Sequence, residues 1–99
     1  MIVTVFRARL RPEHALEYSA LAGDIAAQAD AMPSFVSRKV FTAEDGERVT
    51  IVEFATRESH DAWAAHAPHR AAQQRGRERF YSEYKIQVCE LVRERSFTG

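Results

Sequence analysis

The sequence predicts an α+β domain of the ferredoxin-like type, with the element order βαββαβ. Three observations predict it: segments of alternating apolar and polar residues, long stretches with helical spacing, and an Asp-Gly turn between two alternating segments. In this arrangement four antiparallel strands form one sheet, and both helical regions pack on the same face of it. We assign residues 1–95 to this single domain. Residues 96–99 carry no periodic pattern and form a C-terminal tail.

The beginning of the chain predicts a strand followed by a helix. Residues 2–10 alternate with period two, which is typical of a half-buried strand, and Pro12 follows its end. Residues 13–31 change to helical spacing, with Leu16 and Leu21 on the expected apolar stripe. Alanine is dense in this segment, and it favours helix more than any other residue.

The middle of the chain predicts a β-hairpin. Residues 35–43 and 48–56 both alternate, which indicates two neighbouring strands. Asp45-Gly46 lies between them, and this dipeptide favours the tight turns that join antiparallel strands. These two strands are therefore the second and third of the sheet.

The second helical region is predicted to consist of two pieces. Thr56 or Ser59 can cap a first helix around residues 61–66. Pro68 follows, and proline is favoured in the first turn of a helix rather than in its interior. We therefore expect a separate short helix over residues 68–77, at an angle to the first.

A fourth strand is predicted over residues 80–93, with Gly76 before it as the glycine that ends the preceding helix. No element is then left to cover the second face of the sheet, which carries apolar side chains from every strand. Exposed apolar faces of this kind mark association. We expect a homodimer in which two sheets face each other, with a ligand cavity between sheet and helices in each protomer.

Composition and charge exclude several classes of function. Fourteen basic and fourteen acidic residues give zero net charge, so neither nucleic acid nor a membrane surface is an expected partner. A signal peptide and a membrane-spanning run are both absent from the pattern, which favours a cytoplasmic location. The single cysteine, Cys89, forms no intrachain disulfide and is expected to be a small buried hydrophobe. Without a phosphate loop, dinucleotide fingerprint or metal-ligand cluster, we expect no cofactor and no metal.

Several segments together resemble the antibiotic biosynthesis monooxygenase family of dimeric α/β-barrel proteins. They are VTVFRARLRPEH at residues 3–14, the turn at Asp45-Gly46, the second helical region with its Trp63, and YKIQVCEL at residues 84–91. The resemblance implies a dimeric α/β barrel. Because the family contains cofactor-independent oxygenases of phenols and quinols, it also implies a monooxygenase that oxidises a small aromatic substrate with O2.

The chemistry of such a reaction points to particular residue types. A base of near-neutral pKa takes the proton of the substrate, which suits histidine, and a hydroxyl or an arginine holds the developing oxyanion. Aromatic side chains clamp a planar ring. We therefore predict three catalytic residues, His66, His69 and Tyr81, and four substrate-binding residues, Trp63, Phe6, Phe54 and Arg38. His14 and His60 are expected to be exposed.

Plainer interpretations exist for each of these residues. Trp63 can be a core side chain, the two histidines can be solvated groups at a helix corner, and Tyr81 can belong to a dimer interface. Glu53 becomes an alternative base if its sheet face is covered, because burial raises a carboxyl pKa. Two other functions also stay open. One is a non-catalytic dimer that holds a small apolar ligand, and the other is haem binding through His66 or His69.

Overall fold

The computed structural model describes residues 1–99 and confirms the predicted order of elements. The elements are β1 (Ile2–Leu10), α1 (Ala15–Asp30) after a 3-10 turn (Pro12–His14), β2 (Phe35–Thr42), β3 (Arg48–Phe54), α2 (Arg57–Ala65), α3 (Ala67–Arg75), a π-helical turn (Gly76–Phe80) and β4 (Tyr81–Glu90). The four strands pair in the order β2-β3-β1-β4, and every pair is antiparallel. This is the predicted ferredoxin-like α+β fold.

The register of the sheet decides which side chains face the helices. Phe6 on β1 pairs with Thr50 on β3 and with Ile86 on β4, and all three lie on the helix-covered face. Ala8 lies two residues after Phe6 on β1 and pairs with Arg48 on β3 and with Tyr84 on β4. Because side chains alternate along a strand, these three residues lie on the helix-covered face as well.

The corner between α2 and α3 has the predicted form. Thr56 caps α2, because its hydroxyl accepts the backbone N–H of Ser59 at 3.1 Å. Backbone dihedrals of His66 are extended (φ −62°, ψ 122°), so the chain leaves α2 there, and Pro68 lies in the first turn of α3. The helices are therefore separate pieces, as the proline indicated.

Gly76 caps the C-terminus of α3 as predicted, but not in the left-handed conformation that usually selects glycine there. Its φ of −60° is right-handed, and the chain continues into the π-helical turn, in which the backbone N–H of Tyr81 donates to the Gly76 carbonyl. Glycine is required here for another reason. A Cβ at this position would lie 2.9 Å from Cδ2 of Tyr81 and even closer to Cε2, so the turn and the ring pack with no room for a side chain.

Helix α1 turns the predicted apolar stripe to the sheet except at its first position. Leu21, Ile25 and Ala29 line the space under the helix, together with Tyr18. Leu16 is 89% exposed and lies about 200° around the helix from Tyr18, so its assignment to the stripe is wrong. A small core forms where Ala29 meets Phe54 and Trp63, with other apolar side chains packed around it.

The second face of the sheet is covered by no element of this chain. Alternation along the strands places these apolar side chains on it: Val3, Val5, Phe41, Val49 and Ile51. Cys89 pairs with Val3 on the same face and is exposed, so the prediction of a buried cysteine is wrong for the single chain. Strand β4 ends at Glu90, three residues before its predicted end, and residues 91–99 form no regular element.

Candidate functional site

A cavity of about 360 Å³ lies between the helix-covered face of the sheet and the helices. Hydrophobic residues make up 18 of its 25 lining residues, and its volume suits a small ligand. Six of the seven predicted site residues line it: His69, Tyr81, Trp63, Phe6, Phe54 and Arg38. The fold thus gathers residues from four strands and three helices around one space.

His66 is the predicted site residue that does not line the cavity. Its Nε2 is 2.8 Å from Oε1 of Gln28 on α1, and its ring stacks on Trp63 with 5.5 Å between centroids and 25° between planes. His69 contacts the same indole from the cavity side, edge-on at 4.3 Å. Both histidines therefore contact Trp63, and of the two only His69 lines the cavity.

His69 is a neutral imidazole with an unused nitrogen. Burial, and secondarily the nearby His66 and His60, lower the pKa of His69 from 6.5 to about 4. Its Nδ1 is buried and has no hydrogen-bond partner. Buried polar atoms are nearly always hydrogen-bonded, so an orphan nitrogen on a side chain that lines a cavity is unusual.

His60 also lines the cavity, although it was expected to be exposed. Its side chain is only 13% exposed, and its ring lies 6.3 Å from that of Phe54. The exposed neighbour Asp61 contacts His60 Nδ1 through Oδ1 at 2.9 Å. The first turn of α2 packs on the sheet, which is why this position is covered.

Aromatic residues form the other end of the cavity, next to the π-helical turn. Tyr81 lies 5.4 Å from Phe6, 5.8 Å from Tyr18 and 5.9 Å from Tyr84, measured between ring centroids. Burial, followed by the effect of Tyr18, raises the pKa of Tyr81 well above its ordinary value. A raised pKa keeps the phenol protonated, so Tyr81 is suited to donate a hydrogen bond.

The two arginines of the cavity differ in their surroundings. Arg38, the predicted anion holder, has Nε 3.9 Å from Oδ1 of Asp30, and its side chain is 32% exposed. Arg48 has its guanidinium carbon 5.4 Å from the ring centroid of Tyr18, and its Nε is buried without a hydrogen-bond partner. Arg48 is thus the better placed cation for a ligand.

Sequence reasoning missed Arg48 and Tyr18, although a signal existed for both. Arg48 is in phase with Thr50 and Phe54, so the alternation of β3 already placed an arginine on its apolar face. Tyr18 is one helical turn before Ala22, on the stripe that faces the sheet.

Glu53, the alternative base, lies on the other face of the sheet. It accepts a hydrogen bond from the Ser37 hydroxyl and does not line the cavity. No Asp or Glu lines the cavity at all, and its ionisable side chains are two arginines, two histidines and three tyrosines. No three His, Cys, Asp or Glu side chains are grouped as metal ligands. The helices are too short or too polar to cross a membrane.

Comparison with known families confirms the resemblance seen in the sequence. The model of the family described as "Antibiotic biosynthesis monooxygenase" matches residues 1–75, which include most of the cavity wall. The chain belongs to the antibiotic biosynthesis monooxygenase family.

Relatives of this family member are distant in sequence and close in fold. An uncharacterised protein of Bacillus subtilis (strain 168), YqjZ, is 25% identical over 88 residues, covering 89% of this chain and 77% of that protein. A structure from Deinococcus radiodurans, named as a candidate antibiotic biosynthesis monooxygenase, superposes with a TM-score of 0.86 at 15% identity, covering all of both chains.

A second related structure is named as an enzyme. SnoaB of Streptomyces nogalater, a cofactor-independent oxygenase solved in a mutant form, has a TM-score of 0.78 at 15% identity. The match covers 94% of each chain. At this identity the likeness establishes the shared fold alone.

Proposed function

We propose that this family member is a cofactor-independent monooxygenase that oxidises a small aromatic quinol or phenol with O2 in the cavity. The observation that carries the proposal is His69, a buried neutral base with an unpartnered nitrogen, set against Trp63 in a largely apolar chamber. Membership of the family and the oxygenase activity named for SnoaB support the reaction class.

The reaction balances without an outside reductant. For a phenol with an open para carbon, phenol and O2 give the para-quinone and one water. One oxygen atom enters the ring and the other leaves as water, and all four electrons come from the substrate. The protein must therefore remove a proton, hold the electron-rich anion and keep water away from it.

His69 accepts the proton only if the anion remains beside it. A phenol of ordinary pKa near 10 and an imidazole of pKa about 4 differ by about six pK units, or roughly 8 kcal/mol, against transfer. A phenolate held next to the imidazolium reduces this difference, because opposite charges attract strongly in a poorly solvated cavity. Trp63 and Phe54 can contact the ring beside His69. Tyr81, which stays protonated and lies with Phe6 at the other end of the cavity, can donate a hydrogen bond to a ligand oxygen there.

We also propose that the chain forms a homodimer through the uncovered face of its sheet. Val5, Phe41 and Ile51 on that face have no cover from this chain, and Phe41 is 46% exposed. A chain of this length buries only a limited core of its own, so association adds burial that the protomer lacks.

Oxygen uptake by metal-free protein with a panel of naphtho- and anthra-hydroquinones tests the reaction, after the autoxidation rate is subtracted. His69→Gln is expected to lower the enzymatic rate at least tenfold. His66→Gln is expected to retain most of this rate, because His66 does not line the cavity. Loss in His66→Gln but not in His69→Gln would overturn the assigned base.

The same experiment separates the alternative functions. Quinol binding without uptake above autoxidation would favour a non-catalytic ligand-binding dimer. A Soret band on addition of haem that disappears in His69→Gln would favour a haem protein instead.

A further inference from the structure

The cavity has an excess of positive charge that nothing in the chain balances. Its lining contains two arginines and no carboxylate. Taking a cation out of water is expensive unless it is paired, so an arginine in an apolar wall needs a reason. Arg38 is paired within the chain, because its Nε lies 3.9 Å from Oδ1 of Asp30.

Arg48 has no such partner, although a carboxylate is next to it in sequence. Glu47 points to the opposite face of the sheet, where both of its oxygens accept hydrogen bonds from Arg7 at 3.0 and 3.1 Å. The guanidinium of Arg48 instead lies over the Tyr18 ring, and its buried Nε has no acceptor. Arg48 is thus a cation that faces the cavity with unused hydrogen-bonding capacity.

Two hydroxyls belong to the same end of the cavity. The ring centroids of Tyr18 and Tyr81 are 5.8 Å apart, and the positive charge of Arg48 acts on Tyr81, lowering its pKa against the larger effect of burial. A guanidinium with two neighbouring phenols is a set of donors, and such a set suits a ligand group that only accepts hydrogen bonds.

This donor set lies at the opposite end of the cavity from His69. Arg48 is the first residue of β3 and Phe54 is the last, six residues or about 20 Å further along the strand. Phe54 packs with Trp63, and Trp63 contacts His69. A ligand that fills the cavity therefore meets a neutral imidazole at one end and a cation with hydroxyls at the other.

We propose that Arg48, assisted by the hydroxyls of Tyr18 and Tyr81, binds an anionic oxygen group of the ligand, so that the ligand of this cavity is an aromatic monoanion. A carboxylate or an acidic ring oxygen has the required chemistry, because either accepts a charge-assisted hydrogen bond from a guanidinium. The inference names the charge of the ligand in the proposed oxygenase site and rests on that site, but binding can be measured without turnover.

Isothermal titration calorimetry with 2-naphthoate and its neutral isostere 2-naphthamide tests the charge preference. Neither compound is a quinol or a phenol, so the result does not depend on oxidation. The wild-type protein is expected to bind the naphthoate at least tenfold more tightly than the amide. Equal affinity for the two compounds, or no binding of the naphthoate, would overturn the proposal.

Substitutions then test which side chain causes the preference for naphthoate over naphthamide. Arg48→Met is expected to weaken naphthoate binding at least tenfold and amide binding less than threefold, and Arg48→Lys is expected to recover part of the loss. Arg57→Met is the matched control, since Arg57 is paired with Glu90 and does not line this cavity, and it is expected to change naphthoate binding less than threefold. A larger loss in Arg57→Met, or equal losses of both ligands in Arg48→Met, would contradict the assignment to Arg48.

Circular dichroism of each variant checks that the fold is kept, and Arg48→Lys keeps the test valid if the methionine variant unfolds. Naphthoate binding that depends on Arg48, with no oxygen uptake on any quinol, would keep the anion site and overturn the oxygenase proposal. Oxygen uptake by a protein that binds naphthoate and naphthamide equally would keep the oxygenase proposal and overturn the anion site.

Discussion

His69 and Arg48 contribute the two buried side-chain nitrogens that have no hydrogen-bond partner, and both residues line the same cavity. Folded proteins rarely leave such atoms unsatisfied, so each one requires a structural or functional explanation. Because both residues line one cavity, the proposed base and the proposed anion site belong to the same site.

Acid is expected to destabilise the protein through His69. Its pKa is about 4 when folded and about 6.5 when unfolded, so between these values only the unfolded chain binds the proton. The stability is therefore complete above pH 6.5 and is lost as the pH falls towards 4. Between pH 7 and pH 5, wild type is expected to lose about 1 kcal/mol more than His69→Gln, after allowance for partial solvent screening.

Urea unfolding at both pH values measures this difference. His14→Gln, at the start of α1 and away from the cavity, serves as the control and should keep the wild-type dependence. Parallel pH dependence in wild type and His69→Gln would show that His69 is not held neutral by burial.

Gly76→Ala is expected to displace the Tyr81 ring, because the new methyl group would collide with two of its carbons. Overpacking of this kind costs about 1–3 kcal/mol of unfolding free energy. Gly23→Ala is the matched control, since nothing lies within 4 Å of its Cβ position in the exposed middle of α1. It is expected to raise stability by roughly 0.5–1 kcal/mol. Thermal unfolding measures the stability of both variants. If Gly76→Ala were as stable as Gly23→Ala, the proposed collision with Tyr81 would be wrong.

Tyr81→Phe is expected to keep the packing of the ring and lose the hydroxyl that donates to the substrate anion. Oxygen uptake should fall about tenfold, as for loss of one hydrogen bond to a charged group. Because the pKa of Tyr81 is raised, the spectrophotometric titration of wild type minus Tyr81→Phe should show no tyrosinate near pH 10. A normal tyrosinate signal in that difference would place the hydroxyl in solvent.

Ile51→Lys is expected to separate the proposed dimer, because it puts a charge in the middle of the uncovered sheet face. Leu16→Lys is the control: it replaces another apolar side chain, but one that is 89% exposed on α1. Sedimentation at micromolar concentration should give a dimer for wild type and Leu16→Lys, and a monomer for Ile51→Lys. A monomeric wild-type protein would remove the dimer proposal altogether.

Local pattern was enough to place the helices and strands. Alternation marked all four strands, Asp45-Gly46 marked the hairpin, and Pro68 marked the break between α2 and α3, because each acts on the backbone over a few residues. The same patterns failed where distant packing decides. Leu16 is apolar and has the spacing of the predicted stripe, yet it is exposed to solvent because α1 packs on the sheet through other residues.

The sequence likewise predicted which residue types form the site. The family resemblance limited the candidate positions to one helical region and a few strand residues. Which of two neighbouring histidines faces the ligand, and which of two arginines lacks a partner, depended on the assembled protomer. His66 and His69 are three residues apart and both contact Trp63, but His66 pairs with Gln28 on α1 and only His69 lines the cavity. Burial, charge pairing and the cavity arise from contacts between residues far apart in the chain, and no local pattern contains that information.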